Sequence, residues 1–135
     1  MARFLILLAL ALAPGLAAAE GCNPPAPLRF APGASGTVVD GAVPRGAPDC
    51  FTLRARAGQT MEVRVDSPER NAALSVWAPG WRLAVDGTAV DITPDPLDTG
   101  NGKRFRLVLP RSGEYLLVMG TERGGAPYRM TLSIR

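Results

Sequence analysis

Arg123 stands in the stretch "GTERGGAPY", between two apolar runs, "GEYLLVM" and "YRMTLSIR", that both read as strands. A hairpin link takes two to five residues, and here roughly seven intervene. A guanidinium on such a loop can fork onto a carboxylate through two parallel charge-assisted hydrogen bonds. Gly124 and Gly125 would let the backbone come close to a partner. The chemistry is recognition of an acidic group rather than bond making. The other reading is a tolerated surface loop whose Arg123 is solvated or pairs with Glu122 or Glu114.

Other residues offer less specific chemistry. Ser112 in "SGEY" presents a hydroxyl, but Ser112-Gly113 also reads as a turn, with the Tyr115 ring inward and its hydroxyl on a backbone partner. Trp77 and Trp81 in "VWAPGWR" would form a platform for sugar stacking, or cover the edge of a core. Asp91, Asp95, Asp98 and Asn101 are oxygen ligands that calcium uses, at a spacing unlike an EF-hand. The prolines and glycines among them suffice for a plain loop, so no metal and no cofactor is assigned. Catalysis has little support. The chain has no histidine, no G-x-S-x-G elbow and no phosphate-binding loop. The expectation is a protein that is not an enzyme.

The residues before these set the compartment. Arg3, the apolar run "FLILLALALA", the break at Pro14-Gly15 and the small residues "AAA" form a secretory signal peptide over 1–19, too short and wrongly flanked for a membrane span. The mature chain is expected in the periplasm or outside the cell, with no other long apolar run. Cys22 and Cys50 are the two cysteines. In an exported protein their default is one disulfide, tying a proline-rich arm (20–34) to the first strong strand. A lipid anchor on Cys22 is the competing reading, and Glu20 in "AEGC" argues against it. The net charge of +3 is too small to argue for nucleic acid or a membrane surface. Nearly every basic residue is arginine.

After about residue 35 the pattern is almost purely β. "TMEVRV" sends Met61, Val63 and Val65 one way and Glu62 and Arg64 the other. "KRFRLVL" and "YRMTLSIR" repeat this alternation. "GTVVDGAV", "CFTLRA", "AALSVW", "WRLAVD" and "GEYLLVM" complete about eight short strands, separated by turn residues. The expectation is an all-β fold: a single antiparallel β-sandwich of about eight strands over residues 35–135, with one disulfide.

The order of "CFTLRARAGQTMEVRVDS", "NAALSVWAPG" and "FRLVLPRSGEYLLVMGTERGGAPYRMTLSI" resembles the bacterial pre-peptidase C-terminal domain family, a small β-sandwich. Within that shape the chain is most similar to the periplasmic inhibitors of goose-type (g-type) lysozyme. The shared positions are Leu109, Pro110, Ser112, Gly113 and Tyr115 of the "LPxSGxY" entry, with Arg123 in the loop before the last strand. Arg129 is the sole candidate for a second loop arginine. The resemblance implies inhibition of a cell-wall hydrolase, a g-type lysozyme or related muramidase, by insertion of the arginine loop into its substrate cleft. Arg123 leads the expected contact residues, with Ser112, Tyr115 and Glu122 beside it. The alternative is a non-catalytic carbohydrate- or protein-binding module of the cell envelope, using Trp77 and Trp81.

Overall fold

Alternating apolar and charged residues build two sheets that close on one another. The computed structural model describes residues 21–44, 47–87 and 89–135; the expected signal peptide lies outside them. The strands are β1 (Ala26–Pro27), β2 (Gly36–Val43), β3 (Asp49–Ala55), β4 (Thr60–Asp66), β5 (Ala72–Trp77), β6 (Arg82–Asp86), β7 (Ala89–Thr93), β8 (Arg104–Val108), β9 (Gly113–Thr121) and β10 (Ala126–Ile134). One sheet has the order β1-β3-β9-β5 and the other β2-β10-β4-β8, while β6 and β7 form a separate hairpin. The expected all-β sandwich is present, with ten strands among the described residues where the sequence suggested about eight. No helix among the described residues is long and apolar enough to cross a membrane.

The alternation falls as the sequence suggested. Met61, Val63 and Val65 of β4 and Met130 and Leu132 of β10 are buried against Phe51, Leu74, Val76, Tyr115, Leu117 and Met119 of the facing sheet. Glu62 and Arg64 point to solvent. Two strands escaped the sequence reading. β1 lies in the proline-rich arm and pairs in parallel with β3, Ala26 opposite Phe51. β7 pairs with β6, Leu83 opposite Ile92, and ends where the irregular stretch begins.

That hairpin forms a third layer over the outer face of the β1-β3-β9-β5 sheet. Leu83, Val85, Val90 and Ile92 pack with Trp77, Trp81 and Val118 around Cys22, Cys50 and Leu116. Cys22 and Cys50 are joined in a disulfide, so the Cys22 sulfur is already used. The bridge spans 28 positions. Closing a loop of that size stabilises by about 3–4 kcal/mol in the chain-entropy treatment.

The link between β9 and β10 differs from the long hairpin connection that the sequence suggested. β9 continues through Thr121 and β10 begins at Ala126, leaving only 122–125 as loop. The two strands belong to different sheets, so the loop crosses the sandwich and no hairpin rule governs its length.

A buried polar bond also joins the two sheets. The Tyr128 hydroxyl on β10 donates to Asp49 Oδ2 on β3 at 2.9 Å. Burial, helped by the Asp49 carboxylate, pushes the phenol pKa well up, so the hydroxyl keeps its proton. The ring has room because Gly41 lies opposite it in the register. A Cβ at Gly41 would stand 2.6 Å from the hydroxyl oxygen. Gly41→Ala should therefore destabilise the fold by about 1–3 kcal/mol, as an overpacking change does. Chemical denaturation of the two proteins checks this, and equal midpoints would contradict it.

Candidate functional site

Three segments meet at the end of the sandwich where β4 and β9 finish: the β4–β5 turn (67–71), the β9–β10 loop (122–125) and Lys103, just before β8. The loop is pinned rather than loose. Asn71, only 1% exposed, donates through Nδ2 to the carbonyls of Arg123 (2.9 Å) and Gly125 (3.0 Å). The Glu122 N–H donates to Asn71 O at 2.9 Å, and the Thr121 hydroxyl donates to Gly124 O at 2.7 Å. Gly124 has φ of 60°, a left-handed conformation that glycine adopts without a Cβ penalty. Gly124 thus shapes the loop, and Asn71 holds the shape.

On this frame Arg123 is exposed. Its Nη2 donates to the backbone carbonyl of Glu69 at 3.0 Å, and among the described residues it takes part in no ion pair. A carbonyl leaves the guanidinium its full charge, so further N–H groups are available to a carboxylate. Glu122 beside it is tied to Lys103. The hydrogen bond from Lys103, then its positive charge, hold the Glu122 carboxyl below the usual carboxylate range, with a smaller contribution from Arg123. Arg129 is not a second free loop arginine. It lies within β10 and makes two bonds to Asp40, Nε to Oδ1 at 2.7 Å and Nη2 to Oδ2 at 3.1 Å.

Ser112 and Tyr115 lie elsewhere. β9 has nine residues, which puts Ser112 and Arg123 at opposite ends of it, roughly 30 Å apart at the rise of an extended strand. The Ser112 hydroxyl oxygen accepts from the Ala57 N–H at 2.9 Å and joins the β3–β4 and β8–β9 turns. Tyr115 is 0% exposed, so its ring cannot touch a partner. Its hydroxyl donates to Arg111 O at 2.6 Å and accepts from Arg111 N at 3.2 Å. This closes the turn into β9, as the inward reading of "SGEY" has it. Of the four expected contact residues, the structure brings Arg123 and Glu122 together and sets Ser112 and Tyr115 apart.

The tryptophans, the candidate stacking residues, take part in a small core. Both are half-buried beneath the β6–β7 hairpin. Trp77 Nε1 donates to Pro94 O at 2.8 Å and Trp81 Nε1 to Glu114 O at 3.0 Å. The rings pack onto the same small core as the hairpin residues, around Cys22, Cys50 and Leu116. The oxygen ligands of 91–101 do not converge either. Asp98 accepts from Gly100 N and Asn101 from Lys103 N, closing local turns. No group of acidic side chains among the described residues has the arrangement of a metal site.

Asn71 is the residue that sequence reasoning missed. It precedes two alanines in "RNAALSVW" and follows Arg70, whose φ is 53°. Its partners are backbone carbonyls more than fifty positions away, which leave no mark in the chain.

The chain is similar to the crystal structure of Aeromonas hydrophila PliG, a periplasmic inhibitor of g-type lysozyme, with 29% sequence identity and a TM-score of 0.66, covering 82% of this chain and 95% of that one. It also shares its fold with Salmonella Typhimurium PliG (21% identity, TM-score 0.61, 81% and 96% covered). A mutant of Escherichia coli PliG is similar as well (20% identity, TM-score 0.60, 82% and 96% covered). No protein-family model and no curated protein sequence matches the chain, so the broader pre-peptidase label receives no support.

Two outcomes follow from the pinned loop. Asn71→Ala removes both carbonyl bonds and should cost about 2–3 kcal/mol, because the acceptors it leaves are partly buried. Amide exchange at Glu122, whose N–H is bonded to Asn71 O, should speed up well beyond the amides of β9 and β10, and uniform acceleration along the chain would contradict a local clasp. The Glu122–Lys103 tether should be complete above the ordinary carboxylate pKa of about 4.3 and be lost as pH falls through the lowered value. An NMR titration of the Glu122 carboxyl checks this, with Lys103→Ala returning the midpoint toward the ordinary value.

Proposed function

We propose that the protein is a periplasmic, non-catalytic inhibitor of a cell-wall hydrolase, a g-type lysozyme or related muramidase, and that it acts through the β9–β10 loop. The observation that carries the reading is the likeness to the Aeromonas inhibitor, which extends over 95% of that chain at 29% identity. The secretory leader in the sequence agrees with the compartment of that protein.

The loop supplies a physical means. A hydrolase that cleaves glycosidic bonds works with carboxyl groups in a cleft. Arg123 offers a full positive charge and free N–H groups on an exposed loop, and both fit a carboxylate at the floor of such a cleft. A flexible loop would lose ordering entropy on binding. The Asn71 and Thr121 bonds set that loss aside before the partner arrives. Glu122 is held back by Lys103, which keeps a negative charge from facing the target alone. Ser112 and Tyr115 act in this reading as turn residues at the far end, and Trp77 and Trp81 as core residues. Inhibition is by occlusion and ion pairing, with no bond made or broken.

The test is lysis of a cell-wall suspension by a g-type lysozyme with the purified mature protein, beside a chicken-type lysozyme. Selective inhibition is expected. Arg123→Ala should weaken it by about thirty-fold or more, the 2 kcal/mol or greater loss that follows removal of a central charged contact. Lysis unaffected by a micromolar excess of the protein would defeat the proposal for this target. Inhibition undiminished in Arg123→Ala would defeat the loop mechanism and leave the inhibitor reading standing.

A further inference from the structure

Backbone groups left open along one strand edge point to a second partner. In the β1-β3-β9-β5 sheet both edges are covered or short. β5 is closed by the segment before β8, with Leu97 N donating to Val76 O and Leu74 N to Gly102 O. β1 has two residues. β8 is different: it pairs with β4 on one side and ends the sheet on the other.

The register tells which groups are open. Lys103 O accepts from Val65 N at 2.7 Å, and Leu109 N donates to Gln59 O at 2.8 Å. An antiparallel ladder bonds alternate residues, so the odd-numbered positions of β8 face β4. The N–H and C=O groups of Arg104, Arg106 and Val108 face outward, and none bonds to another described residue outside the ladder. The side chains of the same three residues share the outer face. Arg104 and Arg106 are exposed and Val108 is 72% exposed, the more exposed of the two large apolar side chains in solvent among the described residues. On the inner face Phe105 and Leu107 are only partly buried against the core, as they would be where a strand is missing beside them. Arg104 takes part in no ion pair among the described residues, and Arg106 has only a loose one to Glu62, at 3.5 Å with both side chains well exposed.

We propose that the β8 edge is a docking strand for an extended acidic peptide segment of a partner protein, which adds antiparallel to it. The segment would carry acidic residues opposite Arg104 and Arg106 and apolar ones opposite Val108, Phe105 and Leu107. Main-chain bonds to the open groups would hold it, and the alternate side chains would select it. A second copy of this chain is a poor occupant. β8 against β8 sets arginine opposite arginine, which is repulsive. β2, the other outer strand of that sheet, offers only Asp40, already bound twice by Arg129. The proposal does not depend on Arg123 or on the lysozyme reading.

The experiment uses the mature protein and a synthetic peptide containing Val-Ile-Glu-Leu-Glu, with Val-Ile-Lys-Leu-Lys as its counterpart. Calorimetric titration gives affinity and hydrogen exchange locates the contact. The acidic peptide should bind, slow the exchange of the Arg104, Arg106 and Val108 amides, and lose about tenfold or more in affinity in the Arg104→Glu/Arg106→Glu double variant, where two favourable cross-strand pairs become repulsive. The Arg104→Gln/Arg106→Gln pair should fall between, and Arg123→Ala should bind as the parent does. Equal binding of the lysine peptide, or no binding, overturns the proposal. Polygalacturonate binding to the same arginines without protecting the β8 amides overturns it in favour of an anionic glycan. Protection that grows with protein concentration alone overturns it in favour of a second copy.

Discussion

Burial of β9 on both faces is the constraint on which the other elements depend. Tyr115, Leu117 and Met119 fill the space between the sheets, while Leu116 and Val118 turn the opposite way, into the small core below the β6–β7 hairpin. A strand with only one covered face would leave Leu116 and Val118 in water, at roughly 1.5–3 kcal/mol for each large apolar side chain. The hairpin, the disulfide and both tryptophans are gathered over that outer face. β9 must then lie inside its sheet, between β3 and β5. Its two ends fix what each end of the molecule presents: a turn closed by Ser112 and Tyr115 at one, the arginine loop at the other.

Much of this was legible in the sequence, for reasons that differ by element. "TMEVRV" and "YRMTLSI" alternate because only one face of each strand is covered, so their inward residues could be read off by parity. "GEYLLVM" was legible as a strand, but its unbroken apolar run hides which side faces which core. The short pieces were not legible. Ala26–Pro27 carries too little pattern to read as a strand and is held by pairing with Phe51 and Thr52, a long-range fact. Ala89–Thr93 is short and runs into Pro94, so it merged with the loop beyond. The site followed the same division. A lone arginine beside two glycines stood out, whereas the buried asparagine that orders them is recognisable only through backbone acceptors that the fold delivers. "LPxSGxY" stood out too, but a motif that shapes a turn resembles one that touches a partner until the position of the turn is known.

The arginine loop also shows how a small sandwich holds an exposed loop at its rim. A tight hairpin would have kept β9 and β10 in one sheet and flattened the connection. Crossing between sheets takes the chain over the end of the core, where residues 122–125 are exposed. Glycine at 124 accepts the required backbone angle, and the cost in backbone freedom is met by a side chain from a different turn. The shape of the loop and its fixation therefore come from separate residues.

The layered arrangement has a practical side. Both tryptophans of the chain belong to the outer small core, beside the disulfide, and the main core between the sheets holds none. Intrinsic fluorescence of this protein is thus a local optical probe. It reports on the seating of the hairpin layer, while the two tyrosines, Tyr115 and Tyr128, belong to the main core. Emission from the two chromophore types can separate detachment of the outer layer from opening of the sandwich beneath it.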